Sequence, residues 1–330
     1  MGLVPPNPHD ALFKSTFADP RHAEGALRTA LPRGLAARFD WTALKAVPGS
    51  FVDAELKSRH TDLLFRVSLS GREARLYLLY EHQSTPHPLM PFRLVVYAVR
   101  IWESWLKENP GATVLPALVP VVLHHGDAGW TAARSLEELY DLDEATLHAA
   151  GAHVLRHRFV LDELVTETDE ALRARAMSAL GRLVLYCFRR ARDPEELVRH
   201  LGAWADVALE IMMAPHGRAA LDTVLRYVMM VHPAESRIVL EQLRGALPDE
   251  RLKETLMTAG EELMQKGEAR GIIVGEVQGR RVMLRKQLAL RFGALPEGAN
   301  ARLDAADAAT LDTWAERVLA AATLEDVLSG

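Results

Sequence analysis

Residues 62–83 read Asp-Leu-Leu-Phe-Arg-Val-Ser-Leu-Ser-Gly-Arg-Glu-Ala-Arg-Leu-Tyr-Leu-Leu-Tyr-Glu-His-Gln. Two runs rich in Leu, Val, Phe and Tyr flank a Ser-Gly-Arg-Glu break, the pattern of two β-strands joined by a tight turn. A two-residue loop on Gly71-Arg72, glycine first, suits a type II′ turn. That turn opposes Ser70 to Glu73, Val67 to Leu76, Phe65 to Leu78 and Leu63 to Tyr80, which makes one face wholly apolar below the turn. The other face opposes Arg66 to Tyr77, Leu64 to Leu79 and Asp62 to Glu81, with Gln83 two residues further along.

Two carboxylates directly opposite each other stand about 5 Å apart at Cβ and repel. A fold tolerates this if the site is solvated, if one acid is protonated, or if a cation sits between them. Hard oxygen donors converging from two strand ends suit Mg²⁺ or Mn²⁺. The chemistry implied is metal-assisted phosphodiester hydrolysis, in which the cation lowers the pKa of a water and offsets charge on the phosphate. Gln83 would orient that water, but its amide carries no charge. The competing reading is that Asp62 and Glu81 only mark exposed strand ends, and a bulge would change their register.

Working outward, His9 to Phe17 places Leu12, Phe13, Thr16 and Phe17 on one helical face. Asp19-Pro20 reads as an N-cap followed by proline at the first helical position. Ala46 to Val52 reads as a loop or short strand. After the hairpin, Leu89 to Glu108 is an amphipathic helix whose apolar stripe is Phe92, Val95, Val96, Val99, Trp102 and Leu106, stopped by Asn109-Pro110-Gly111. Ala117 to Leu123 is a nearly continuous apolar strand, as expected for one buried on both faces. Hairpin, helix and strand together predict an α/β class.

From about Ser135 the strand signals fade and helices are expected over Thr168–Arg192, Pro194–Met213 and Leu221–Leu247, with a further one from Arg280 to Arg291. Gly267, Gly271, Gly275 and Gly279 recur every fourth residue, which aligns them along one side of a helix. A self-associating linker helix and a flexible hinge both fit that spacing. The expected organisation is a core over residues 1–150, a helical extension over 151–262, and a glycine-striped helix with a small helical domain over 263–330.

Composition narrows the function classes. The chain has 330 residues, 49% hydrophobic and 25% charged, as in ordinary globular proteins rather than disordered or fibrous ones. Its single cysteine, Cys187, excludes a disulfide scaffold and a cysteine zinc cluster, and fits a reducing cytoplasm. No apolar run is long enough to span a bilayer. A net charge of −5 gives no global attraction to nucleic acid, so DNA binding requires a local basic patch.

An ordered series of segments resembles the Rpn family of recombination-promoting nucleases, also called YhgA-like transposases, within the PD-(D/E)xK nuclease superfamily. It runs His9-Asp-Ala-Leu-Phe-Lys14, Pro48-Gly-Ser-Phe-Val-Asp53, His60-Thr-Asp-Leu-Leu-Phe-Arg-Val67 and Tyr77-Leu-Leu-Tyr-Glu-His-Gln-Ser84. Pro88-Leu-Met-Pro-Phe-Arg93 and Val119-Pro-Val-Val-Leu-His-His-Gly126 continue it, so the likeness covers the first half closely. The resemblance implies a restriction-endonuclease-like core, a mixed sheet flanked by helices, with an all-helical C-terminal region. It also implies Mg²⁺-dependent DNA endonuclease activity tied to recombination. Asp62 and Glu81 would be the metal ligands, Gln83 would occupy the position of the superfamily lysine, and Asp10 would be a further acid. Thr61 stands where the superfamily has proline. Gln83 in place of lysine removes a positive charge from the water-activating position, which keeps open the alternative of a catalytically silent DNA- or partner-binding module.

Lys14, Arg66, Arg93 and Arg100 are candidates for DNA phosphate contacts, against the ordinary reading of a solvated charged face. His9, His82, His87, His124 and His125 lack the i, i+4 spacing of a zinc helix. Cys187, among Leu183, Val184, Leu185 and Tyr186, reads as a core thiol. The tail is similar to a small helical domain often appended to this family, and is expected to serve interaction or homo-oligomerisation.

Overall fold

The computed structural model describes residues 7–47, 61–81, 86–126, 128–232, 236–246 and 250–329. It divides into two bodies, residues 7–254 and the segment from Thr255 to the C-terminus.

The first body opens with α1 (Pro8–Phe17) and α2 (Pro20–Ala30), followed by the single turn α3 (Arg33–Ala36). Each long helix starts as its sequence dictates. The Asn7 side chain accepts from the His9 amide, the Asp19 side chain accepts from that of Arg21, and proline occupies the first helical position in both. Five strands then build one sheet in chain order: β1 (Phe39–Val47), β2 (Thr61–Leu69), β3 (Arg72–Glu81), β4 (Ala117–His124) and β5 (Val160–Glu163). The first three are antiparallel, while β4 runs parallel to β3 and β5 parallel to β4. Between β3 and β4 the chain crosses over through α4 (Met90–Glu108), as a parallel connection requires.

The hairpin turn differs from its sequence reading. Leu69 pairs with Arg72, leaving Ser70-Gly71 as the loop, and both carry positive φ, 49° and 79°. Positive φ at both central residues is the type I′ arrangement, which matches the twist of the flanking strands. The Ser70 amide also bonds to the Arg38 carbonyl, anchoring the turn. Every pairing therefore shifts by two: Asp62 opposes Leu79, not Glu81, and Phe65 opposes Leu76. A shift of two preserves faces. Leu63, Phe65, Val67, Leu76 and Leu78 still share one side.

That side is covered by α1 and α2; Phe17, Ala26 and Ala30 enclose a small crevice with Val121, Leu123 and Asp162. On the opposite side α4 lays Met90, Leu94, Tyr97 and Ile101 against Val122, with Leu64, Leu118 and Leu161 at the margin. The core-facing residues of α4 are thus not the stripe predicted from its heptad-like spacing. Phe92, Val99 and Leu106 are exposed, and Val95, Val96 and Trp102 are half-buried. The helix is apolar on more than one face, and the sheet covers the one carrying Met90, Leu94, Tyr97 and Ile101.

Two strands escaped the sequence reading. Residues 39–47 form β1, bulged between Asp40 and Lys45; the predicted loop or short strand over 46–52 lies outside the described residues beyond Val47. β5, only four residues long, lies in a stretch read as helical. Pro120 is accommodated within β4 because pairing with β5 starts only at Val121, so its missing N–H costs no ladder bond on that side.

After α4 the first body continues with α5 (Glu144–Ala150), α6 (Asp169–Ala174), α7 (Ala179–Arg189), α8 (Pro194–Leu201), α9 (Ala205–Met213), α10 (Gly217–Val231) and α11 (Ser236–Ala246). The predicted long helices are each broken, at Arg175–Ser178, at 202–204 and after Val231. At the first break Arg175, buried, pairs with Asp162 of β5 at 2.6 and 2.8 Å and with Glu167. Cys187 sits at 1% exposure in α7 beside Tyr186 and Phe188, as a core thiol.

A 43-residue helix, α12 (Glu250–Phe292), contains the four regularly spaced glycines. The expected helix from Arg280 is its last part. In the second body Leu284 and Leu288 of α12 pack with Leu303 of α13 (Glu297–Ala305), Leu311, Trp314 and Val318 of α14 (Ala308–Ala320), and Val327 and Leu328 of α15 (Leu324–Leu328). Gly271, Gly275 and Gly279 are exposed, with nothing within 4 Å of where a Cβ would stand.

Candidate functional site

Backbone register locates the two candidate acids. Asp62 lies at the start of β2 and Glu81 ends β3; because Asp62 faces Leu79, Glu81 is its diagonal neighbour on the same face. Diagonal neighbours on antiparallel strands lie roughly 7–8 Å apart. The predicted direct opposition is therefore replaced by a diagonal one, which reduces the repulsion without separating the faces.

The parallel half of the sheet continues this arrangement. Glu81 pairs with His124, and His124 pairs with Glu163. These three residues are the last of β3, β4 and β5. They form one row on the face covered by α4, at the carboxyl ends of parallel strands, where open α/β sheets place their ligands. His124 is wholly buried, its Nδ1 3.8 Å from Glu163 Oε1, and its ring meets Trp130 edge-on at 5.2 Å. Glu163 is gripped from the loop after β4: the Trp130 amide donates to Oε1, and the Arg134 guanidinium lies 3.7 Å from Oε2. Gly129, at φ 73°, lets the loop pass Glu163; a Cβ there would come within 3.1 Å of Oε1.

Neither His124 nor Glu163 was singled out as an acid-site neighbour from sequence. By sequence His124-His125, at the end of an apolar strand, reads as capping it or lying near substrate phosphate, and Glu163 belongs to a strand too short to show alternation. The available signal was Phe159-Val-Leu-Asp-Glu163, an apolar run ending in two acids.

The other predicted residues distribute over both layers. Asp10 lies on α1, in the layer against the opposite face of the sheet. Beside it, His9 Nδ1 bonds the Tyr227 hydroxyl at 2.9 Å and its ring packs against His125. His125 is 3% exposed and its Nδ1 donates to the Phe188 carbonyl; burial first, then the neighbouring His9, push its pKa down to about 3. Burial of both His124 and His125 excludes them as ready phosphate contacts. Arg66 is exposed on the Asp62 face. Arg93 and Arg100 are half-buried on α4, Arg93 donating to the Tyr97 hydroxyl. Lys14 is exposed on α1, in the other layer. Gln83 and His82 lie outside the described residues. Among the described residues no three His, Cys, Asp or Glu side chains gather as a metal cage.

Fold and site define an α/β protein with a mixed five-stranded sheet whose acids collect at one strand end. Residues 7–211 match the family described as "Putative transposase, YhgA-like", and the chain belongs to that family. It is similar to the recombination-promoting nuclease RpnA of Escherichia coli K12, 28% identical over 268 residues, which are 79% of this chain and 85% of that protein. It is also similar to the recombination-promoting nuclease RpnD of Escherichia coli O157:H7, 26% identical over 78% of this chain and 94% of that protein. The inactive recombination-promoting nuclease-like protein RpnE of Escherichia coli K12 is 26% identical over 79% of this chain and 83% of that protein. No solved structure matches. No helix among the described residues is long and apolar enough to cross a membrane.

Proposed function

We propose that this chain is a divalent-metal-dependent DNA endonuclease of the PD-(D/E)xK type, acting in recombination. The observation that carries the reading is the placement of Asp62 and Glu81 on one face at one sheet end, in a chain similar along most of its length to proteins named as recombination-promoting nucleases. The donor chemistry fits a hard cation. Two carboxylates from adjacent strands are the ligand type that Mg²⁺ and Mn²⁺ prefer. When bound, such an ion supplies a lowered water pKa and charge neutralisation at the phosphate.

Asp62 and Glu81 would hold the ion. Gln83, two residues past Glu81, would orient the attacking water through its amide oxygen. Arg66, on the same sheet face, and Arg93 and Arg100, on the helix covering that face, would contact DNA phosphates. Lys14 would contact phosphate only where DNA also reaches the α1 layer. Asp10, in the α1 layer, would contribute as an additional acid only where the site reaches round the sheet end to that layer. The expected result is that Asp62→Ala abolishes Mg²⁺- or Mn²⁺-dependent nicking of supercoiled plasmid with an unchanged circular dichroism spectrum. Equal nicking by variant and wild type would remove the site.

A second reading is a silent DNA- or partner-binding module. It is favoured by the uncharged Gln83 and by the similarity to a protein named as inactive. A salt-sensitive DNA mobility shift with no cutting in either metal would support it. The helical segment from Thr255 onward is proposed to mediate homo-oligomerisation, because α12 exposes Ile272, Ile273 and Val274 beside its glycines. Sedimentation of the full chain as a monomer at micromolar concentration would end that assignment.

A further inference from the structure

We propose that Glu163 and His124 are positioning residues that set the cation affinity of the Asp62–Glu81 acid pair. The proposal rests on the acid-pair reading above and extends the site across β4 to β5. Glu81, His124 and Glu163 are consecutive members of one lateral row, and adjacent strands lie about 4.8 Å apart. The third position of the row is therefore two strands from the first, with the fully buried His124 between them.

Three observations mark Glu163 as placed rather than incidental. Its Oε1 takes the Trp130 amide and stands 3.8 Å from His124 Nδ1, its Oε2 faces Arg134, and its side chain is only 13% exposed. Gly129 provides the backbone room for this grip. Trp130 closes the other side of the imidazole, edge to face. At 3.8 Å the Glu163 carboxylate is not hydrogen-bonded to Nδ1, and it acts on the ring through its charge, which draws positive character toward that edge. The row thus adds one buried imidazole and one carboxylate, held by the Trp130 amide and faced by Arg134, to the strand ends that carry the acids.

A purely structural part, pinning the loop of Gly129–Trp130 to β5, would make Glu163 matter for stability alone. Calorimetric titration of the folded full-length protein with Mn²⁺ separates the two. Glu163→Gln and His124→Gln are each expected to raise the Mn²⁺ dissociation constant about tenfold, the scale at which partners behind metal ligands act. The double variant is expected to lose no more than either single one, since the two act as a unit. Dissociation constants within twofold of wild type in both variants would overturn the proposal, as would full additivity.

Asp62→Ala is the control: if it binds Mn²⁺ like wild type, the acid-pair reading fails, whereas loss of binding there with unaltered Glu163→Gln sinks only the present inference. If Glu163→Gln does not fold, Glu163→Asp, which keeps the charge but withdraws it by one methylene, is expected to weaken Mn²⁺ binding about threefold. An unchanged constant in that variant counts against the proposal.

Discussion

His125, one residue past the end of β4, stays neutral in the fold because burial removes the water that would solvate its charge, and because His9 adjoins it. The sign of the consequence follows. The unfolded chain takes up a proton near pH 6.5, whereas the folded chain resists until about pH 3. Stability contributed by the neutral ring is complete above pH 6.5 and is lost as the pH falls, at about 1.4 kcal/mol per unit, so roughly 2 kcal/mol by pH 5. Urea unfolding at pH 7 and pH 5 should show this loss in wild type and a smaller one in His125→Gln. Cys187 offers a simpler check. Burial pushes its thiol up to about 12, so a thiol reagent should leave the native protein unmodified and label it fully in denaturant. The cysteine's place in the core was legible from its neighbours. The depth of His125 was not, because it depends on α1, α7 and α10 converging there.

At the scale of elements, glycines separate tight corners from open faces. A Cβ on Gly217 would stand 1.7 Å from the Ile211 carbonyl oxygen, at the corner where His216, φ 60°, turns the chain from α9 into α10. Gly217→Ala should therefore cost about 2–4 kcal/mol in urea unfolding. Gly271 and Gly275 meet nothing, and alanine there should raise the thermal stability of α12, by about 1 kcal/mol per site from helix propensity. A stabilised corner or a destabilised stripe would contradict these placements. The helical reading of the stripe follows from its period, and the start of α2 from Asp19-Pro20. The hairpin turn and the core face of α4 did not follow. Two turn types fit Ser-Gly-Arg, differing by two residues in register, and α4 carries apolar residues on more sides than its sheet can cover.

At the scale of the whole molecule, the family match ends at residue 211, yet the first body continues to residue 254. The extension is not an appendage. Tyr227 of α10 bonds His9 of α1, and Leu221, Val224, Leu225 and Val228 are buried around it. A chain ending at Glu254 is expected to keep one cooperative calorimetric transition in its first body. A chain ending at residue 211 should lose it, since α1 and α7 would expose the apolar surface that α10 covers. An intact transition in the shorter chain would mean that the extension is dispensable.

Local sequence determined the two hairpin strands and β4, the helical character of the later chain, where α2 begins, and that positions 62 and 81 fall on one face. The last of these survived a wrong turn because strand side chains alternate with period two, so any even slip returns each to its own side. Tertiary structure alone decided that positions 62 and 81 are diagonal rather than directly opposed, that β5 joins the sheet, and that His124 and Glu163 continue the lateral row from Glu81. Parallel pairing links strands tens of residues apart, and no local pattern encodes which strand ends arrive together; packing of α4 and the Arg175–Asp162 pair settles that only once the chain has closed.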